Sequence, residues 1–465
     1  MAGSTAAGRQ PQDRSWLRRA LTGSGPPTSP FGIRAQPSRL DDVAARAALG
    51  LALRIGETML AVGGSAADVT AVILRVAASY GLGNCQADVT FTSLTVSYDR
   101  DDAPPITMLR MVSPRGLDYT RLQGITDLAR EVGDGDLGVD EAHARLDRVV
   151  SAPHPYRRVI HSAGWSGVAG SVAASLGGGW LVVLIAAVTT AVVAQLIRTL
   201  DRRGLPLFFQ QVVGAAVATG TAVLLVVADV PVRSSLVVAA GLVVLLAGLS
   251  LVSSAEDAIS GFPVTAAARA FEVLTLTAGI VVGIAGALDV AQRAQVPLTV
   301  VGASSATVPT GVGLLAAAGI AGSWAVASYA RLGAVAVATA AGVLSWTVYL
   351  GVGLLGTGPT LASGAAAVVI GFCGELLTDR LRVPPLLVAV CGIVPLLPGL
   401  AIYQGLFAIV VQDDIQGGLG VLVGAAATGL ALAAGVSLGK YLGRPLRSTW
   451  DRFDRRVRRR ATTLE

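Results

Sequence analysis

From residue 160 to residue 440 the chain alternates long apolar blocks with short polar joints marked by Gly, Pro or Arg. The blocks run to about 20 residues, the length a helix needs to cross the hydrocarbon layer of a bilayer. They predict spans at 160–177, 180–198, 207–228, 234–254, 264–288, 308–329, 332–355, 358–378, 385–411 and 417–439. The first is the weakest, because Gly and Ser interrupt it. Small residues crowd SGVAGSVAASLGGG (166–179) and GAAATGLALAAG (424–435). Helix backbones can approach closely at such residues, so a compact bundle is expected.

The pattern before residue 160 is different. Residues 1–40, with GSGPPTSP at 23–30, read as a disordered extension. From Asp41 to Gly63 apolar residues recur at helical spacing, Leu49, Leu53, Met59 and Leu60 among them. Gly63–Gly64 breaks this helix, and Ser65 can cap the next, with Asp68 three residues on. ADVTFTSLTVSY (87–98) reads as one strand, and PPITMLRMV (104–112) as its partner across DRDDA. Helices follow around 118–133 and 139–151. The fold class expected is therefore a polytopic all-α membrane protein of about ten transmembrane helices with a small α/β N-terminal cytoplasmic domain. Its parts are an extension (1–40), the α/β domain (41–155), two five-span halves (156–290 and 291–440) and a basic cytoplasmic tail (441–465).

Composition sharpens the division. Charged residues make up 14% of the chain, against about 25% in a soluble domain. They number 35 in 1–160 and 12 in 440–465, but only 19 in the 279 residues between. This excludes a secreted disulfide scaffold, a disordered chain and a soluble nucleic-acid binder. The net charge of +6 comes from a C-terminal arginine cluster beside the last apolar block. Such a cluster marks the cytoplasmic leaflet and is expected to meet anionic lipids. With the N-terminal domain inside, cytoplasmic joints hold Arg157, Arg158, Arg198, Arg202, Arg203, Arg331, Arg380 and Arg382, and the opposite joints only Arg233 and Arg293. Ten spans then return both termini to the cytoplasm of a bacterial cell, across its inner (plasma) membrane.

The candidate chemistry is sparse. Cys85, Cys373 and Cys391 make no metal spacing, no phosphate-cradling loop or hydrolase motif occurs, and no cofactor is expected. CGIVPLLPGLAIYQG (391–405) carries Pro395, Pro398 and Gly399 within an apolar block, which should break the helix there. Broken helices at membrane depth expose backbone groups and recur as substrate sites in secondary transporters. Tyr403 and Gln404 follow at once with a hydroxyl and an amide. In SSAEDAISGFPVTAAARAFEV (253–273), Arg269 and Glu272 stand i,i+3 and can face each other. Ionisable groups inside a span line a pathway or pair with one another, so Arg269 is a substrate-binding candidate and Glu272 a proton-coupling one. Asp257 and Glu375 join Glu272 as coupling candidates, although Glu256 and Asp257 also read as a solvated loop and Glu375 as a snorkelling residue. Asp413 and Asp414 read as solvated in an outer loop, and His143, His154 and His161 as surface or interfacial residues rather than metal ligands.

These segments resemble a known family. GGSAADV and FTSLTVSY in the head, GFPVTAAARAFE in the fifth span and VPLLPGLAIYQG in the ninth are similar to recurrent segments of the bacterial threonine/serine exporter family. The likeness runs from about residue 41 to 440. It implies an inner-membrane carrier, not an enzyme, exporting threonine and serine with the proton motive force. Its partners would be the amino-acid substrate and protons; no nucleic acid is expected, and assembly as a homo-oligomer stays open. Some family members are split into two subunits linked to dicarboxylate export, so succinate is an alternative substrate. A dicarboxylate site should hold more than one cation at membrane depth, and Arg269 is the single clear one. A third alternative, a membrane-anchored enzyme or sensor acting through its head, needs a nucleophile–base set that 41–151 does not offer.

Overall fold

A computed structural model describes residues 41–461 apart from 101–102, 113–115, 244, 246–247, 296–307, 382 and 411. The extension expected to be disordered, 1–40, lies outside the described residues.

The head comprises α1 (Asp42–Ala61), α2 (Ala66–Ser79), β1 (Cys85–Val89), β2 (Ser93–Arg100), β3 (Ala103–Met111), α3 (Tyr119–Gly133) and α4 (Val139–Ser151). Leu49, Leu51, Leu53 and Ile55 are all buried, so α1 is covered on every side and forms the centre of the head. Gly63 turns the chain after α1 at φ 103°, a conformation that glycine adopts without strain. Ser65 caps α2 as expected, accepting the Asp68 N–H at 3.2 Å and donating to its carboxylate at 2.8 Å. The sheet is antiparallel in the order β1–β2–β3.

One expectation fails here. The segment read as a single strand over 87–98 is a hairpin, β1 and β2, closed by Thr90. Its N–H and hydroxyl both bond the Ser93 carbonyl. The turn is built from Thr and Phe instead of Gly or Asn, so it carries no turn signature.

The body is helical throughout its described residues: α5 (Arg158–Ser175), α6 (Trp180–Arg202), α7 (Leu207–Val227), α8 (Ser234–Val243), α9 (Gly248–Ile259) and α10 (Pro263–Arg293) come first. Then follow α11 (Thr310–Ala327), α12 (Leu332–Gly353), α13 (Pro359–Leu381), α14 (Pro385–Ile393), α15 (Gly399–Val410) and α16 (Ile415–Ala461). Among the described residues seven helices are long and apolar enough to cross a membrane: α6, α7, α10, α11, α12, α13 and α16. The other three expected segments are the Gly/Ser-rich α5 and two that each fold as a pair of helices, α8–α9 and α14–α15.

The helix pairing of α5–α10 is repeated by α11–α16. In each set the first helix packs on the second and the third on the fifth. The leading helix of the fourth segment, α8 or α14, packs on the second and third helices, and the trailing one, α9 or α15, on the fifth. The two first helices, α5 and α11, pack on each other. The third–fifth crossings need glycine. A Cβ at Gly439 would fall 2.2 Å from the Val368 carbonyl oxygen, and one at Gly283 2.2 Å from that of Val212.

Head and body share one continuous apolar core. The Tyr119 N–H donates to the Ser328 carbonyl at 3.0 Å, the Thr120 hydroxyl to the Tyr329 carbonyl at 2.5 Å, and the Thr265 hydroxyl to the Val89 carbonyl at 2.9 Å.

Candidate functional site

The α14–α15 segment breaks where its prolines stand. After Ile393 the backbone tightens into a single 3-10 turn, Val394–Leu396, and α15 starts at Gly399. Pro395 and Pro398 have no N–H to donate, so carbonyls of the preceding turn lose their helical partners. The Leu397 N–H goes to the Val394 carbonyl at 3.2 Å, and the buried Ser345 hydroxyl of α12 reaches the Gly392 carbonyl at 2.5 Å. At the other side of the break the Gly399 N–H turns back to the Leu397 carbonyl, and the Ile402 N–H opens the α15 ladder on Pro398.

The break lines a cavity of about 500 Å³. Pro395, Pro398, Gly399 and Gln404 form one wall, with Ser175, Thr360, Ser363, Thr428, Trp346 and Tyr349 around them. The Thr360 and Thr428 hydroxyls stand 3.2 Å apart. The indole N–H of Trp346 is buried and has no hydrogen-bond partner among the described residues. None of the described lining residues is charged. The side chain of Tyr403 lies outside the described ones.

The ionisable candidates gather elsewhere. Arg269 does not pair with Glu272; its Nε meets Asp257 Oδ2 at 3.1 Å. The turn after α9, with Gly261 at φ 87°, folds α10 back along α9, and the Ser254 hydroxyl donates to the Ala266 carbonyl. That hairpin brings Asp257 to Arg269, whereas Glu272, a turn further along α10, is half-buried. Asp257 is 1% exposed and also accepts the Ala66 N–H of the head at 3.3 Å. The solvated-loop reading of Glu256 and Asp257 is therefore overturned. Both sit on a buried helix face, and Glu256 Oε1 is 2.6 Å from Lys440 Nζ on α16. Glu375, also buried, lies against Gly443, one turn beyond Lys440. Sequence reasoning missed Lys440 as a partner. The signal was available: it is the only lysine beside 35 arginines.

Two of the histidines meet at the joint of head and body. The Tyr329 ring is held between His154 and His161, at centroid distances of 4.2 and 4.7 Å, and His154 Nδ1 is 3.0 Å from Asp118. Tyr329 itself sits at φ 55° in the corner between α11 and α12. Beside this corner the Tyr119 side chain of the head enters the body next to Trp324 and Cys391, and its complete burial pushes the phenol well above its usual range.

Apolar helices around a largely apolar cavity at a broken helix, with a few polar and no charged side chains among its described lining, fit a polytopic membrane transport protein with a small α/β head. Comparison with known proteins gives the family. A model described as "Putative threonine/serine exporter" matches residues 50–291, and one described as "Threonine/Serine exporter, ThrE" matches 313–442. A "Probable threonine/serine exporter" of Mycobacterium tuberculosis is 41% identical over 445 residues, 93% of this chain and 84% of that protein. A "Threonine/serine exporter" of Corynebacterium glutamicum is 35% identical over 435 residues, 91% of this chain and 87% of that one. The chain belongs to the threonine/serine exporter family. No solved structure matches it.

Proposed function

We propose that this chain is a secondary active exporter of small hydroxy amino acids, threonine and serine, driven across the bacterial plasma membrane by the proton motive force. The observation that carries the reading is the cavity at the Pro395–Gly399 break, whose largely apolar described lining includes Thr360, Thr428 and Gln404 and no charged side chain. The first turn of α15 offers N–H groups and the positive end of a helix dipole to a carboxylate. Carbonyls before Pro395 and Pro398, with the Gln404 amide, suit an ammonium, and the Thr360–Thr428 pair suits a side-chain hydroxyl. A zwitterion is matched in this way without a buried unpaired charge. Succinate would bring two carboxylates to a wall without a cation among the described lining residues.

In the ten-span reading α5, α8–α9 and α14–α15 cross the membrane with the seven long helices, and both termini are cytoplasmic. Each half then has an odd number of spans, so the halves enter the bilayer from opposite faces. The cavity is lined by the starts of α13 and α16 and the end of α5, all on the outer side in this topology. The head lies under its inner side, so the state is open outward.

The test is efflux from preloaded proteoliposomes with an imposed pH gradient, comparing threonine, serine and succinate. Uphill efflux of threonine and serine that collapses with the gradient is expected. Preferred efflux of succinate would overturn the substrate, and efflux indifferent to the gradient would overturn the coupling.

A further inference from the structure

The repeated pairing in the two halves has one unequal member. The trailing piece of the broken helix in the first half, α9, packs along α16, the last helix of the second half. Its counterpart, α15 against α10, barely meets. In the topology proposed above, the first contact lies on the cytoplasmic side and the second on the outer side. One of two equivalent contacts is closed and the other open, the arrangement expected if they close in turn.

One ion pair, Glu256–Lys440, crosses the closed contact, and a second, Asp257–Arg269, lies beside it within the α9–α10 hairpin. Asp257 is held by Arg269 and by the Ala66 N–H of the head. Arginine keeps its charge at every physiological pH, and the head N–H gives Asp257 a second partner. Glu256 is held across the contact by Lys440, with side chains 15% and 11% exposed. A lysine offers one compact ammonium where arginine offers a fork, so the Glu256–Lys440 pair parts more readily. Glu375, on α13 near Gly443, is the other buried acid beside this stretch of α16.

We propose that the Glu256–Lys440 pair latches the cytoplasmic side shut and that Glu256 is where the transported proton unlatches it. This deepens the exporter reading and rests on it. A proton from outside water forms an O–H bond on the Glu256 carboxylate, which removes the attraction for Lys440 and lets α9 part from α16. Once the site opens inward, the Glu256 O–H bond breaks and its proton passes to cytoplasmic water. The carboxylate recaptures Lys440 when the loaded carrier closes. One proton enters for each opening, and the ammonium of Lys440 keeps its own throughout.

The single lysine makes the test direct. In proteoliposomes holding the full chain, a membrane-permeant acylating reagent labels Lys440 and no other side-chain amine. Labelling, read by mass spectrometry, should rise several-fold when the outer face is acidified. In Glu256→Gln, which mimics the protonated acid, labelling should be high at both pH values. Gradient-driven threonine efflux should fall more than tenfold in that variant, while threonine–threonine exchange continues. Wild-type labelling indifferent to pH, or Glu256→Gln retaining normal uphill efflux, would overturn the latch and leave the exporter reading standing. Wild-type efflux indifferent to the gradient would overturn both.

Discussion

The two membrane halves share a helix pairing and differ in what they place at the break. In the second half the break is made by Pro395 and Pro398, and the cavity wall beside it is uncharged. In the first half no proline stands between α8 and α9, and α9 carries Glu256 and Asp257, both paired. One framework, used twice, thus separates two tasks. A backbone opened by proline can match a zwitterion through dipoles. An acid held by a basic partner can respond to a proton. Placing both in one half would put a full charge beside the substrate, where low dielectric makes any mismatch costly.

The comparison can be broken most severely where the halves are alike. Gly439→Leu and Gly283→Leu each drive a side chain into a carbonyl at a third–fifth crossing. Each should lose most of the folded protein, because the backbones cannot separate without unpacking the half. Size-exclusion profiles and melting of the purified variants would read this, and a wild-type melting temperature would refute the shared crossing.

The next effect should be confined to the second half. Pro398→Ala combined with Gly399→Leu favours a continuous helix and refills the backbone sites. Threonine binding measured by calorimetry should weaken by about 100-fold, on the scale of one or two lost charge-assisted hydrogen bonds, with folding preserved. Wild-type affinity would move the site elsewhere.

In the first half, Asp257→Asn leaves Arg269 buried without its carboxylate and weakens the Ala66 contact to the head. A loss of about 3 kcal/mol is expected, the size seen when one member of a buried pair is removed. Protease should then cut the 152–157 linker sooner than in wild type.

The smallest effect lies outside both halves. Burial pushes the Cys85 thiol of the head from 9.0 up to about 12. Because its folded value is raised, the thiol contributes stability that is complete below pH 9 and lost as pH rises from 9 toward 12. Alkylation at pH 8 should be slow in the folded protein and become fast on unfolding, and fast alkylation of the native chain would contradict the burial.

Much of this was legible from the chain alone. Apolar blocks marked where the body is helical, seven of its described helices being long and apolar enough to cross a membrane, and the two prolines marked the break, because both signals are local. Spacing along α10 allowed Arg269 to face Glu272, and only the α9–α10 hairpin shows that Asp257 takes it instead. Glu256 and Lys440 are 184 residues apart, a separation that no helical periodicity spans. The β1–β2 hairpin was hidden because Thr and Phe close it where turn-forming residues were expected.

The docking of the head on the α11–α12 corner also has a timing. Thr120 and Tyr329 are 209 residues apart. At ribosomal speeds of about 5–20 residues per second, roughly 10–40 s pass between synthesis of the two. Throughout that interval Tyr119 lacks the pocket that later buries it, and the apolar side of the head waits for helices not yet inserted. The head, translated well before the α11–α12 corner, is therefore among the last parts of this protein to find its seat.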